Sequence, residues 1–410
     1  MQKRWLQTVG ISLTLGAVAC GSGSDDSGAA GSPGAAGTGT VHTGGSGGSG
    51  TATAGSSSGV AGSGTSTGGS LGTAGSGGSS TGTAGTGSGT AGSGTAGTGA
   101  GGTTGSAGSG GSSAGAGGTV ASTKFVGNIT TQDQMDTGGL TFSKYWDEVT
   151  PENAGKWGSV QASATSAFNW ATLDAIYDYT EKNHVIFKQH NFVWGSQQPS
   201  GTVTEQNVKD WISAFCTRYP DTKLIDVVNE PPPHTTPPYA DAIGGGTNTT
   251  WQWITNAFTW ARASCGNAIL ILNDYNNLEY GSEESHFISI VNAIKTAGAP
   301  IDAVGAQSHD VNKLSVATLQ ANLATLNTMT GLPIYITEYD VSNTDDNGQL
   351  TTYQQQFPVF LNTTYVHGIT IWGWIYGQTW SQAPDSGLVK AGKSRPAMTW
   401  LMQQLGRTAP

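Results

Sequence analysis

From residue 122 onward, apolar runs of strand length alternate with amphipathic helical stretches, and this rhythm leaves few folds open. Strand-like runs fall at 125–129, 144–148, 185–194, 224–230, 268–275, 301–309, 334–340 and 369–375. Helical periodicity fills the gaps at 170–182, 205–218, 251–264, 283–297, 318–328, 352–362 and 395–405. Pro220, Gly298-Ala299-Pro300, Gly331-Leu332-Pro333 and Gly368 punctuate the joins. Repeated units of this kind make a parallel sheet with right-handed crossovers. A count of eight strands predicts an α/β fold closed as a (β/α)8 TIM barrel, not an open doubly wound sheet. No glycine-rich phosphate fingerprint follows the first strand, which also weighs against the open sheet.

The rest of the chain is of another kind. Residues 21–121 are almost wholly Gly, Ser, Thr and Ala. Such a stretch buries too little apolar surface to offset its chain entropy, so a disordered low-complexity linker is expected. A chain of that composition and length spans about 50–60 Å end to end, enough to hold a domain clear of a surface. Residues 1–20 combine Lys3 and Arg4 with a short apolar stretch, and read as a signal peptide. Ala17-Val18-Ala19-Cys20 resembles a lipobox, which makes Cys20 a candidate for lipidation; an ordinary signal cleaved near Ala19 is the alternative. Export is therefore expected, to the cell surface or outer membrane as a lipoprotein, otherwise as a secreted protein. The membrane would be met only through that lipid. Residues 122–410 are left as one catalytic domain, expected to act as a monomer.

A net charge of −10 argues against nucleic acid as a partner and suits a neutral polymer. Cys216 and Cys265 each close a helical stretch before a strand; export allows a disulfide, against the alternative of two free buried thiols. Seven histidines are scattered without metal-ligand spacing, so neither a catalytic metal nor a cofactor is expected. No Gly-x-Ser-x-Gly motif points to an esterase.

Two strand-like runs end on a glutamate: Asp226-Val227-Val228-Asn229-Glu230 and Ile334-Tyr335-Ile336-Thr337-Glu338, followed by Tyr339-Asp340. Active sites of such barrels lie at the C-terminal ends of the strands. A carboxylate held there is costly without a task or a cation to pair with. Two together are the machinery of glycosidic cleavage, one donating a proton and the other attacking. Glu230 must hold a proton to assist the leaving oxygen, which the negative charge of Glu338 favours. Once Glu338 is esterified, Glu230 can act as base toward water.

With these motifs the sequence resembles the family 10 glycoside hydrolases, mainly retaining endo-1,4-β-xylanases. The resemblance covers nearly all of residues 122–410. It runs in order through Pro151-Glu152-Asn153, Lys156-Trp157, His190 to Trp194 with Gln197, Leu272-Asn273-Asp274-Tyr275-Asn276, Gln307-Ser308-His309 and Ile371-Trp372-Gly373. It implies Glu230 as acid/base and Glu338 as nucleophile, with xylan or a related plant-wall polysaccharide as substrate. It further implies that Glu152, Asn153, Lys156 and His190 bind sugar hydroxyls, and that Asn229 contacts the 2-hydroxyl at the cleavage point. His309 would hold the nucleophile, with Asp340 orienting the imidazole and Gln307 nearby. Trp194, Trp372 and Trp380 would be aromatic platforms for pyranose faces. Trp211, Trp260 and Trp400 sit at helical spacing and read as packing. Trp374, two places after Trp372, is expected on the same strand face.

Departures from the pattern are Gly195, where a second histidine is common, and Gly155, where methionine is common. Residues 231–238 are proline-rich and read either as a stiff wall on the leaving-group side or as an idiosyncratic surface loop. The rival readings are another retaining barrel glycosidase of endoglucanase type, and a non-catalytic polysaccharide-binding protein.

Overall fold

The computed structural model describes residues 124–246 and 249–410. The expected signal segment 1–20, the candidate lipidation site Cys20 and the expected linker 21–121 lie outside the described residues. Eight strands, β1 (Phe125–Ile129), β2 (Glu148–Thr150), β3 (Ile186–Val193), β4 (Leu224–Asn229), β5 (Ile269–Asp274), β6 (Ala303–Ala306), β7 (Ile334–Tyr339) and β8 (Val366–Ile371), close on themselves in sequence order. Every neighbouring pair is parallel, including β1 with β8. Helices α1 (Trp157–Val160), α2 (Ala171–Asn183), α3 (Glu205–Arg218), α4 (Gln252–Ser264), α5 (Gly281–Thr296), α6 (Val316–Thr330), α7 (Asp346–Asn362) and α8 (Pro396–Gln404) occupy the connections. This is the (β/α)8 barrel that the alternation predicts.

The large apolar core lies between barrel and helices, and Trp211 is its aromatic centre. Its indole stacks on Trp157 at 6.0 Å and on Trp170 at 5.7 Å. A smaller cluster at the strand N-termini, with Phe125, Leu224, Ala303 and Tyr335, closes the floor of the barrel. Gly368 makes room there, since a Cβ at that position would lie 2.2 Å from the Phe125 ring. Above the floor the filling turns polar. Glu148 accepts from the Thr150 and Thr370 hydroxyls at 2.6 and 2.8 Å. Lys188 meets Asp226 at 2.5 Å, and His190 Nδ1 lies 2.9 Å from the same carboxylate oxygen. Outside the barrel, Cys216 of α3 and Cys265 at the end of α4 are joined by a disulfide, their Cα atoms 5.2 Å apart.

Several boundaries differ from the sequence reading; β6 spans only Ala303–Ala306 of the expected 301–309, and β8 starts at Val366, before the expected 369. β2 lies at Glu148–Thr150, beyond the expected 144–148, because Phe142–Lys144 forms a 3-10 turn that buries Phe142. α7 starts at Asp346, six residues before the expected start, with the Asp345 carboxylate accepting from the N–H groups of Asn347 and Gly348. β8 ends at Ile371, and Gly373 at φ +110° breaks the extended backbone. The period of two therefore fails after Trp372, and Trp374 does not share its face. Trp374 is fully buried against Phe142, Tyr145 and Trp146, and its indole N–H donates to Thr131 Oγ1 at 2.9 Å.

Candidate active site

The strand C-termini bring the two motif glutamates into one hydrogen-bonded network. Asn229, the last residue of β4, pairs in register with Asn273 of β5. The Asn273 amide donates to Asn229 Oδ1 at 2.8 Å and to Glu338 Oε1 on β7 at 3.0 Å. Its own carbonyl oxygen takes the Thr337 hydroxyl at 2.6 Å. Gly305 of β6 permits this, because a Cβ there would lie 2.3 Å from Asn273 Oδ1. Gln307, just past β6, donates to Glu230 Oε1 at 3.1 Å and to Asn229 Oδ1 at 3.4 Å. The chain Glu230–Gln307–Asn229–Asn273–Glu338 thus spans four adjacent strand ends.

Around each carboxylate the environment differs. Glu338 is 5% exposed, and burial alone would favour its neutral form. The His309 hydrogen bond and the charges of His190, His309 and Lys188 overcome that and hold it at about 2. His309 Nε2 is 3.4 Å from Glu338 and Nδ1 is 3.0 Å from Asp340. Burial would deprotonate this imidazole, but Asp340 and Glu338 push its pKa up to about 10. A half-buried cation therefore keeps Glu338 an anion at neutral pH, as an attacking carboxylate requires. Glu230 is half-buried, at φ +50°, with Oε2 accepting from the Trp194 indole at 2.7 Å.

The other sequence-predicted residues gather at the same rim, with two exceptions in role. Lys156 lies over the Trp194 ring at 4.9 Å, and its ammonium reaches Asn153 Oδ1 at 3.4 Å. Glu152 has a pKa raised by burial, opposed by Lys156 and reinforced by the charges of Asp133 and Glu338. Trp372 sets its face at 74° to the His190 ring, centroids 5.5 Å apart. Trp380 covers His309 at 4.6 Å and donates its N–H to Asp340 Oδ2 at 2.7 Å, so it braces the imidazole. Gln197 stands outside the carboxylate network: its side chain is exposed, and its carbonyl takes the Gly158 N–H at 2.7 Å.

Asp226 and Lys188 were not singled out as site residues from the sequence, and Asn273 stood in a matched motif without an assigned role. The signal for Lys188 was its spacing of two from His190, which puts both side chains on one face of the strand. At the two departures from the family pattern, neighbours fill the space. Gln189 donates to the Gly155 carbonyl at 2.6 Å, with Oε1 where a Cβ would come within 2.9 Å. A Cβ on Gly195 would lie 2.6 Å from Thr235 Cβ and 3.1 Å from the Thr236 nitrogen. Gly195→Ala is accordingly expected to cost about 1–3 kcal/mol, read as a lowered urea midpoint. An unchanged midpoint would mean that the loop yields freely. Among the described residues no group of three or more His, Cys, Asp or Glu side chains could hold a metal ion.

Comparison with known proteins gives this geometry a family. The model of glycosyl hydrolase family 10 matches residues 115–404. Endo-1,4-beta-xylanase B of Cellvibrio japonicus (strain Ueda107) is 43% identical over 287 residues, 68% of this chain and 45% of that protein. The chain thus spans less than half the length of that relative. Endo-1,4-beta-xylanase D of Talaromyces funiculosus is 30% identical over 296 residues, 65% of this chain and 70% of that protein. Among solved structures, the family 10 glycoside hydrolase from Paenibacillus barcinonensis superposes with a TM-score of 0.61 at 22% identity, covering 70% of this chain and 96% of that one. At that identity the superposition speaks for the fold, while the sequence matches speak for descent: the chain belongs to glycosyl hydrolase family 10.

Proposed function

We propose that the protein is a retaining endo-1,4-β-xylanase that cleaves internal bonds of xylan, with Glu338 as nucleophile and Glu230 as acid/base. The observation that carries this reading is the single network joining the two carboxylates, with the His309 cation holding Glu338 ionised. Glu338 attacks the anomeric carbon while Glu230 gives its proton to the departing oxygen. The glycosyl ester on Glu338 is then opened by water, from which Glu230 takes the proton. Asn229, its Oδ1 fixed by Asn273 and Gln307, turns its amide toward the sugar 2-hydroxyl. Glu152, Asn153, Lys156 and His190 supply hydroxyl contacts, Trp194 and Trp372 the apolar faces, and Gln197 a rim contact.

Export, a lipid on Cys20 and action as a monomer belong to the same proposal. Support comes from the Ala17-Val18-Ala19-Cys20 sequence and from a disulfide of the kind that persists in oxidising compartments. Digestion of xylan, cellulose and mixed-linkage glucan by the purified chain, with chromatographed products, tests the activity. Xylo-oligosaccharides of mixed length from xylan alone are the expected result. Products from cellulose would favour an endoglucanase, and binding without products a non-catalytic protein.

A further inference from the structure

His234 lies four residues beyond Glu230, on the proline-rich loop that the motifs leave unexplained. Its side chain is only 9% exposed and is gripped on three sides. Nδ1 stands 2.7 Å from Asp274 Oδ1, and Nε2 stands 2.6 Å from Glu283 Oε2. The ring lies flat on Tyr275, centroids 3.6 Å apart at 15°. A neutral imidazole has one N–H and can donate to only one of these carboxylates; the imidazolium donates to both. Burial opposes that charge, but Asp274 and Glu283 together raise the His234 pKa. Asp274 is itself pushed up to about 7 by burial, with His234 pulling it down and the Glu230 charge pushing it up. The other titratable neighbour is His286 of α5, whose Nε2 is 3.0 Å from the Pro232 carbonyl.

What this clamp holds together is the backbone of Glu230. On one side Asp274 ends β5, where the Asn273 carbonyl takes the Glu230 N–H at 2.8 Å and the Asp274 carbonyl takes the Gln307 N–H at 2.9 Å. On the other side the loop returns at once: the Thr235 N–H and hydroxyl both donate to the Glu230 carbonyl, at 3.1 and 2.7 Å. Glu230 itself is in the left-handed region, at φ +50°. A non-glycine residue there costs about 1–3 kcal/mol and stays only where its surroundings over-determine it.

We propose that His234 is a positioning residue for Glu230: bridging Asp274 and Glu283, it pins the loop to β5 and α5 and fixes the angle from which the acid donates. This rests on the assignment of Glu230 as acid/base. His234 touches no substrate. Its loss is felt in the step where the leaving oxygen takes a proton, in proportion to how badly that oxygen needs one.

The test uses the full chain and its His234→Gln and Glu283→Gln variants, each first checked for folding by circular dichroism. Their kcat/KM is measured on dinitrophenyl and phenyl β-xylobiosides and on xylotetraose. Dinitrophenolate leaves without help, so that substrate is expected to stay within about twofold of wild type. Phenyl xylobioside and xylotetraose are expected to fall about tenfold or more, a part of the full worth of general acid catalysis. Glu283 is 31% exposed on α5 and can be changed without opening the core, so it decides the matter should His234→Gln fail to fold. Its expected pattern is the same with a smaller loss. An equal loss on all three substrates, or none, overturns the proposal. A wild-type chain inactive on every substrate would sink the glycosidase reading itself, and this inference with it.

Discussion

Glu338→Ala is expected to lower xylan hydrolysis on the order of 10⁵-fold, the scale seen when a covalent nucleophile is removed. The pocket left behind keeps its anion-binding walls, the Asn273 amide on one side and the His309 imidazolium on the other. Azide supplied with dinitrophenyl β-xylobioside should fill that space and attack in place of the carboxylate. The product should be the α-glycosyl azide, inverted at the anomeric carbon, which proton couplings identify. A β-azide would mean that the acid/base had been removed instead, and no rescue at all would remove the nucleophile assignment. A second readout comes from His309. Its cation is held mainly by Asp340 and then by Glu338, so the variant should titrate below the native value of about 10 by NMR. The linkage has a definite sign. Glu338 is depressed to about 2 in the fold, below its unfolded value, so it stabilises the protein above the ordinary glutamate range. That contribution is lost as pH falls toward 2. His309 is raised to about 10, so its contribution is complete below its unfolded value and lost as pH rises through 10.

Most of the barrel was legible because each strand carries its own local evidence. The runs that became β4 and β7 are apolar, β-branched and ended by a polar residue, and their boundaries agree with the structure to within a residue. Misreadings came where local signals conflict with packing. β2 has only three residues, too few for a period, and the aromatic residues before it are drawn into the outer core instead. Asp345-Asp346-Asn347-Gly348 looks like a turn, yet Asp345 caps a helix, and nothing short of tertiary packing distinguishes the two. At the site, residues ending a strand were visible, since a carboxylate or amide after an apolar run is conspicuous. Less visible were Lys188 and Asp226, whose partners lie on another strand. Their meaning depends on register, and register is set by closure of the whole barrel. His234 was hidden by its setting: a single histidine in a proline-rich loop reveals nothing until β5 and α5 are folded around it.

Asp226→Ala is the substitution expected to cost most in stability. Lys188 and Asp226 are 1% and 0% exposed at the side chain, and the same carboxylate oxygen also faces His190 Nδ1. Removing one partner of a buried ion pair leaves the other desolvated and uncompensated, a loss of about 3–5 kcal/mol. One relaxation works against the full figure. Glu148 is pushed up to about 7 chiefly by burial, with Lys188 opposing and Asp226 adding to the rise. Without Asp226, Glu148 ionises more readily and can take over part of the charge on Lys188. The double variant Lys188→Met with Asp226→Ala removes both charges and should therefore recover much of the stability lost by Asp226→Ala alone, as urea unfolding would show. Activity should not recover with it. His190 has lost the carboxylate facing its Nδ1, and the charge of Lys188 no longer helps hold Glu338 ionised. Stability restored together with activity would show that the pair only fills the barrel. Stability restored with activity still depressed would show that the polar layer beneath the cleft sets the charge state of the attacking group.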